Sequence, residues 1–262
     1  MNQILAGKSI VITGAARGIG EAIAQGLAAA GAAITIGDLD KKSAEAAADR
    51  ICSTGGKAIG VSVNVTDRSA VVAMIKASCD AHGSLHGIVN NAGIAQTKIF
   101  TEITEQDWRR IMEVNSLGVL ICMQEAAKVF IAQKNGGKIL NVASIAGKQG
   151  FEPLAHYSAS KFSVVAFTQA GAKAFGQHRI NVNAICPGIV ATKMWDDIGR
   201  GFREAGLAEK DEDAFNQYAE GILLGRSSTP EDLAGVSRFL MSSESDYMTG
   251  QALVVDGGII FS

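Results

Sequence analysis

The stretch Ser9-Ile10-Val11-Ile12-Thr13-Gly14-Ala15-Ala16-Arg17-Gly18-Ile19-Gly20 begins with a β-branched run and turns through glycines into an Ala-rich segment that reaches about Ala30. An unbroken apolar run suits a parallel strand buried on both faces, and the residues after the turn carry helical periodicity. The stretch therefore reads as strand, turn, helix. Gly14, Gly18 and Gly20 permit a tight turn, close approach of backbone to a pyrophosphate, and close helix-on-strand packing. The helix N-terminus then offers free N–H groups to phosphates. A glycine-rich loop is a weak signal alone, and the strand-turn-helix setting is what makes this one a dinucleotide site.

Working outward, the alternation repeats. Strands are expected from Ala33 to Gly37, Ala58 to Val63, Gly87 to Asn90, Lys138 to Ala143, Arg179 to Ile185 and Ala252 to Val255. Helices are expected from Lys41 to Ser53, Arg68 to His82, Glu105 to Lys134, His156 to Phe175 and Pro230 to Met241. Right-handed crossover helices must bury their apolar stripes against a sheet, so the expected fold is α/β: a single-domain, doubly wound parallel sheet of Rossmann type, helices on both faces, over residues 1–262. Met194 to Gly221 breaks the pattern with mixed charges and scattered aromatics. It is expected to be a substrate lid, at about 193–221, over the strand ends where ligands of such sheets bind.

Composition limits the partners. The 262 residues are 47% hydrophobic, enough for a large core, and carry a net charge of −2 without a Lys/Arg cluster. This argues against nucleic acid and against an anionic membrane surface, and favours a small, nearly neutral ligand. Cys52, Cys79, Cys122 and Cys186 form no Cys-x-x-Cys pair, and His82, His86, His156 and His178 show no ligand spacing. No metal site is expected. The first strand begins too early to leave room for a signal peptide, and no apolar run reaches membrane-spanning length, so a cytoplasmic protein with reduced thiols is expected.

Two positions suggest redox chemistry with a nicotinamide cofactor. Asp38 ends the second strand, where a carboxylate accepts both hydroxyls of an adenosine ribose and repels a 2′-phosphate, which favours NAD(H). The other reading of Asp38 is that it only starts the Gly37-Asp38-Leu39-Asp40 turn. Arg17, in the glycine turn, is the residue able to hold a 2′-phosphate, so a preference and not an exclusion is expected. Tyr157 and Lys161 stand at i and i+4 on one helix face. Reducing a carbonyl requires hydride on carbon and a proton on oxygen, and a neighbouring ammonium is expected to lower the phenol's pKa towards neutrality. Ser144, at the end of the fifth strand, is placed to hydrogen-bond the substrate oxygen. Taken alone, Tyr-x-x-x-Lys is also a common helical accident.

Together with Thr13 to Gly20, Asn90-Asn91-Ala92-Gly93, Asn115, Pro187-Gly188, Thr192 and Asp256-Gly257-Gly258, these residues resemble the short-chain dehydrogenase/reductase family, in family order over essentially the whole chain. The resemblance implies a Ser144-Tyr157-Lys161-Asn115 proton relay with Tyr157 as acid/base. It implies a cofactor site that includes Asn91, Ala92, Gly93, Ile19, Pro187, Gly188, Ile189 and Thr192. It also implies a homotetramer, a dimer of dimers. Asn64-Val65 departs from the family's Asp-Val beside the adenine amine, although an Asn side-chain oxygen can accept the same bond.

Substrate preference must come from the pocket. Gln96, Ile145, Gln149, Phe151 and Trp195 are expected to line it: Ile145, Phe151 and Trp195 as an apolar wall, Gln149 as a partner for a second hydroxyl. Phe151 and Trp195 can instead simply pack the lid. Around these residues the chain resembles the diacetyl/acetoin reductases (2,3-butanediol dehydrogenases) and sorbitol-type polyol dehydrogenases, which implies a vicinal diol or polyol as the small-molecule partner. Two readings compete. One is a 3-oxoacyl-[acyl-carrier-protein] reductase, disfavoured by Asp38 and the acid-leaning lid. The other is a non-catalytic dinucleotide-binding regulatory subunit, disfavoured because Ser144, Tyr157 and Lys161 are all present.

Overall fold

Strand β1 (Ser9–Thr13) is buried at every position, as a central strand covered on both faces must be. The computed structural model describes residues 3–261; Met1, Asn2 and Ser262, the ends of the expected domain, lie outside the described residues. Strands β2 (Ala33–Asp38), β3 (Lys57–Ser62), β4 (Gly87–Asn90), β5 (Gly137–Val142), β6 (Ile180–Pro187) and β7 (Ala252–Val255) follow. Among the described residues they form one seven-stranded sheet in the order β3-β2-β1-β4-β5-β6-β7, all pairs parallel. This is the expected doubly wound architecture. The order reverses between β1 and β4, which opens a crevice at their C-terminal ends.

Helices α1 (Gly18–Ala29), α2 (Lys41–Ser53), α3 (Arg68–His82), α4 (Glu105–Met112), α5 (Gly118–Gln133), α6 (Ala155–Phe175) and α9 (Asp232–Met241) surround the sheet, and α7 (Met194–Glu204) and α8 (Asp211–Glu220) occupy the segment expected to be a lid. The strand period of two divides the core. Ile10 and Ile12 face one layer with Ile23, Leu27, Leu233 and Leu240. Val11 faces the other, with Ile88, Met74, Ile121 and Phe130. Sequence-local devices start the helices: Asp40 accepts from Lys42 N, Asp67 from Ser69 N and Ala70 N, and Thr104 forms a capping box with Asp107.

Two departures from expectation concern the segment read as one helix from Glu105 to Lys134. A π-helical turn, Glu113–Leu117, joins α4 to α5. The composite helix, 29 residues from Glu105 to Gln133, is also long and apolar enough to cross a membrane, contrary to the expectation that nothing reaches that length. Here most of its apolar stretch is buried, against β4, α3 and α6, as in a core helix.

Candidate active site

The crevice is built first from backbone contacts between the loops after β1 and β4. Thr13 Oγ1 accepts from Asn91 N and Ala92 N, both at 3.1 Å, and the Asn91 amide donates to Gly14 O at 2.8 Å. Gly14 has φ +62°, and a Cβ there would lie 2.8 Å from Ala92 Cα. Only glycine allows the two loops this approach. Helix α1 begins at Gly18 with Arg17 as N-cap, and no side chain caps it. Its N-terminal N–H groups are thus left for an anion, which fits the pyrophosphate of a dinucleotide. Asp38 stands beside the turn, one carboxylate oxygen accepting from Ala16 N at 3.2 Å and the other from Asp40 N at 3.3 Å. These bonds tie Asp38 to the glycine turn and to its own turn.

One cavity joins this crevice to the chemical residues. Ile19, Asn91, Gly93, Pro187, Gly188, Ile189 and Thr192, expected at the cofactor, line it together with Ser144, Tyr157 and Lys161 and with Ile145, Phe151 and Trp195. β5 delivers Ser144 to its C-terminal edge, where the hydroxyl accepts from Ala146 N at 3.1 Å. α6 presents Tyr157 and Lys161 one turn apart. Lys161 Nζ donates to Val142 O at 2.9 Å and lies 5.7 Å from the centre of the Tyr157 ring.

Asn115 sits on the π turn behind Gly93. It accepts from Ile94 N at 2.9 Å and donates to Ile94 O at 2.8 Å and to Ser160 Oγ at 3.0 Å. A Cβ on Gly93 would fall 3.2 Å from Asn115 Oδ1 and 3.6 Å from Lys161 Nζ. The glycine thus keeps open the space between them.

Electrostatics differ from the sequence expectation. Burial pushes the Tyr157 phenol up to about 12, with the Ser144 hydroxyl opposing the shift, and pushes the Lys161 ammonium down to about 8. Lys161 was expected to lower the phenol's pKa. Its ammonium instead donates to Val142 O, and removal of the phenol from water outweighs the bond from the Ser144 hydroxyl. The phenol is held protonated, the form that donates to a carbonyl oxygen.

Several expected site residues lie elsewhere. Gln96 does not line the cavity: its amide donates to Asp107 Oδ1 at 2.6 Å, and its oxygen pairs with His156 Nε2 at 3.2 Å. These bonds tie the loop after β4 to the starts of α4 and α6. Gln149 is exposed outside the lining, because the turn at Ile145–Gly147 carries it past the rim. The Asn64 oxygen, expected to face adenine, accepts from Thr66 N at 3.1 Å and Thr66 Oγ1 at 2.9 Å, and Val65 packs in the core. Met194, which opens the insertion expected to line the pocket, does so, and Leu154, Ile198 and Tyr218, which the sequence did not single out, line it too. Helical spacing within α7 and α8 is the one signal for Ile198 and Tyr218, and Leu154 carries none. Among the described residues no cluster of His, Cys, Asp or Glu is suited to a metal.

Residues 14–260 match the family model described as Enoyl-(Acyl carrier protein) reductase. L-2,3-butanediol dehydrogenase of Corynebacterium glutamicum is 40% identical over 97% of this chain and 99% of its own. Galactitol 2-dehydrogenase of Agrobacterium fabrum is 39% identical over 96% of each chain. 3-Oxoacyl-[acyl-carrier-protein] reductases are among the relatives too. A short-chain type dehydrogenase/reductase from Mycobacterium marinum superposes with a TM-score of 0.90 at 32% identity, covering 98% of this chain and 97% of that one. The glycine turn, the Ser-Tyr-Lys set at the sheet edge and these full-length likenesses agree: this chain is an oxidoreductase that belongs to the short-chain dehydrogenase/reductase family.

Proposed function

We propose that this protein interconverts a secondary alcohol of a vicinal diol or polyol with its ketone, using NAD(H), with Tyr157 as acid/base. The convergence of Ser144, Tyr157 and Lys161 on a cavity otherwise walled by Ile145, Phe151 and Trp195 carries the reading. Short carbon chains suit such a wall, and the butanediol and galactitol dehydrogenases among the relatives act on vicinal hydroxyls. When bound, the nicotinamide supplies or accepts the hydride at the carbonyl carbon. Ser144 holds the substrate oxygen, and Tyr157 Oη gives it a proton in reduction or takes one in oxidation. Lys161 sets the field at the phenol, and Asn115 holds the backbone of Ile94 behind Gly93. Asp38, beside Ala16, supports the preference for NAD(H) over the 2′-phosphorylated form.

The reading extends to residues 1–262 as one catalytic domain with a lid at about 193–221, to a homotetramer, and to a cytoplasmic location, which the four free thiols suit. The experiment is NADH oxidation with acetoin, diacetyl, fructose and sorbose, set against a 3-oxoacyl thioester. Turnover of the thioester alone would replace this reading with that of a carrier-protein reductase, which the relatives of that name keep in view.

A further inference from the structure

Tyr218 was conspicuous in neither composition nor motif, yet its ring joins parts of the site that come from distant segments. It lines the cavity that holds Ser144 and Tyr157. Its ring meets Phe151, from the segment after Ser144, edge-on at 5.8 Å between centroids, and Trp195 of α7 at 5.9 Å. On its lid side it meets Phe202 edge-on at 6.0 Å, and Phe202 is buried in the lid's own cluster with Ile198 and Ala214. Edge-to-face pairs at these separations are attractive beyond their burial. Tyr218 is thus held from three sides.

The lid that carries it is fastened to the body. Thr97 Oγ1, in the loop after β4, donates to Ile198 O at 3.1 Å. A Cβ on Gly201 would lie 2.6 Å from Thr97 Cβ, and one on Gly199 would lie 1.9 Å from Asp211 O. Both glycines allow contacts too close for any side chain, the first between α7 and the body, the second between α7 and α8. Packed in this way, Tyr218 forms a wall: its planar ring cannot fold away as an aliphatic chain can, and any rotation about its Cα–Cβ bond must break the contacts with Phe151, Trp195 and Phe202.

We propose that Tyr218 is a specificity-determining residue: its ring closes the lid side of the substrate cavity and limits turnover to short carbon chains. The proposal rests on the diol/hydroxyketone reading, and its chemistry is steric. A substrate extended by two methylenes towards the lid must displace Tyr218 from Phe151, Trp195 and Phe202 together. Discrimination per methylene in an apolar pocket is limited, so the wall produces a graded preference.

The test compares diacetyl with 2,3-hexanedione in the intact enzyme with NADH. Wild type is expected to favour diacetyl in kcat/KM, and Tyr218→Ala to raise the hexanedione-to-diacetyl ratio at least tenfold. Tyr218→Phe, which keeps the ring, should leave the ratio within about twofold. Tyr218→Leu maintains apolar bulk if the alanine variant folds poorly, and should raise the ratio in the same direction; NADH binding by fluorescence confirms an intact site. An unchanged ratio in the folded Ala or Leu variant, or a wild type that already prefers hexanedione, overturns the proposal. If wild type reduces neither diketone, nor acetoin, fructose or sorbose, the diol/polyol reading fails separately. The same comparison between 3-oxobutanoyl and 3-oxooctanoyl thioesters then decides the role of Tyr218.

Discussion

Lys161 Nζ lies 5.7 Å from the centre of the Tyr157 ring while donating to the carbonyl of Val142 at 2.9 Å. The lysine is therefore anchored to the strand that delivers Ser144, and the donor and its field are positioned by β5 and α6 together. In the proposed mechanism the phenol's oxygen is its one contribution to chemistry, whereas its ring packs with Ala146 and Leu154. Tyr157→Phe should reduce kcat/KM for ketone reduction by at least about a thousandfold, shift unfolding free energy by less than about 1 kcal/mol, and leave NADH binding intact. Residual activity near wild type would mean that the proton comes from another group.

Burial holds the Tyr157 phenol at about 12, so its base form is scarce at neutral pH. Ketone reduction uses the abundant protonated form, and alcohol oxidation needs the scarce one. Log kcat/KM for oxidation should therefore climb with pH by about tenfold per unit between pH 7 and 9, while reduction is much flatter. Parallel profiles in the two directions would contradict the assignment.

A buried lysine also leaves a signature in stability. Unfolded, Lys161 keeps its proton up to 10.5, whereas in the fold it releases it at about 8. Between those values the unfolded chain binds more protons, so its contribution makes stability rise with pH over that window, by on the order of 3 kcal/mol in total. Below pH 8 the full cost of burying the charge is present. Urea unfolding of wild type and Lys161→Met at several pH values from 7.5 to 10 checks this, and the variant should lack the rise.

Asp38 bonds to Ala16 N at the glycine turn, so its replacement touches loop geometry and, on the proposed reading, cofactor choice. Asp38→Ser should raise KM for NADH roughly tenfold and move the NADPH-to-NADH ratio of kcat/KM upward by a similar factor. A ratio that stays at the wild-type value would leave Asp38 a turn residue only.

Gly199→Ala is the mutation most damaging to the lid, because the new methyl meets Asp211 O. Separation of α7 from α8 should cost about 1–3 kcal/mol, and kcat/KM should drop at least roughly tenfold as Trp195 and Tyr218 shift. Gly235→Ala on α9 is the control: nothing lies within 4 Å of its Cβ position, so activity should be unchanged. Equal behaviour of the two variants in thermal unfolding and turnover would show that the lid contact is not as tight as described.

Much of this was legible in the amino-acid order because it is periodic or local. Lys41–Ser53, Arg68–His82 and Gly87–Asn90 stand where hydrophobic spacing and turn residues put them. Ser144, Tyr157 and Lys161 meet because a strand end and one helical turn fix them, and both are short-range facts. What escaped depends on contacts between distant segments. The Gln96 side chain turns to Asp107 and His156, a choice no neighbour in sequence predicts. Tyr218 reaches the cavity because Gly199 lets α7 nest on α8 and Gly201 lets α7 approach Thr97 of the body, and the rise in the phenol's pKa reflects burial, which spacing does not disclose.

The π turn at Glu113–Leu117 makes helix length a constraint of its own. A turn of this kind holds one residue more than an α-helical turn. Deleting one residue within the π turn would turn it into an α-helical turn, whereas deleting one between Gly118 and Leu120 would rotate everything downstream by about 100°. Ile121, Cys122, Met123, Ala126 and Phe130 would swing out of the core together. This segment should therefore accept substitutions far more readily than gaps, and comparison of relatives should find residue types drifting there while the number of residues holds constant.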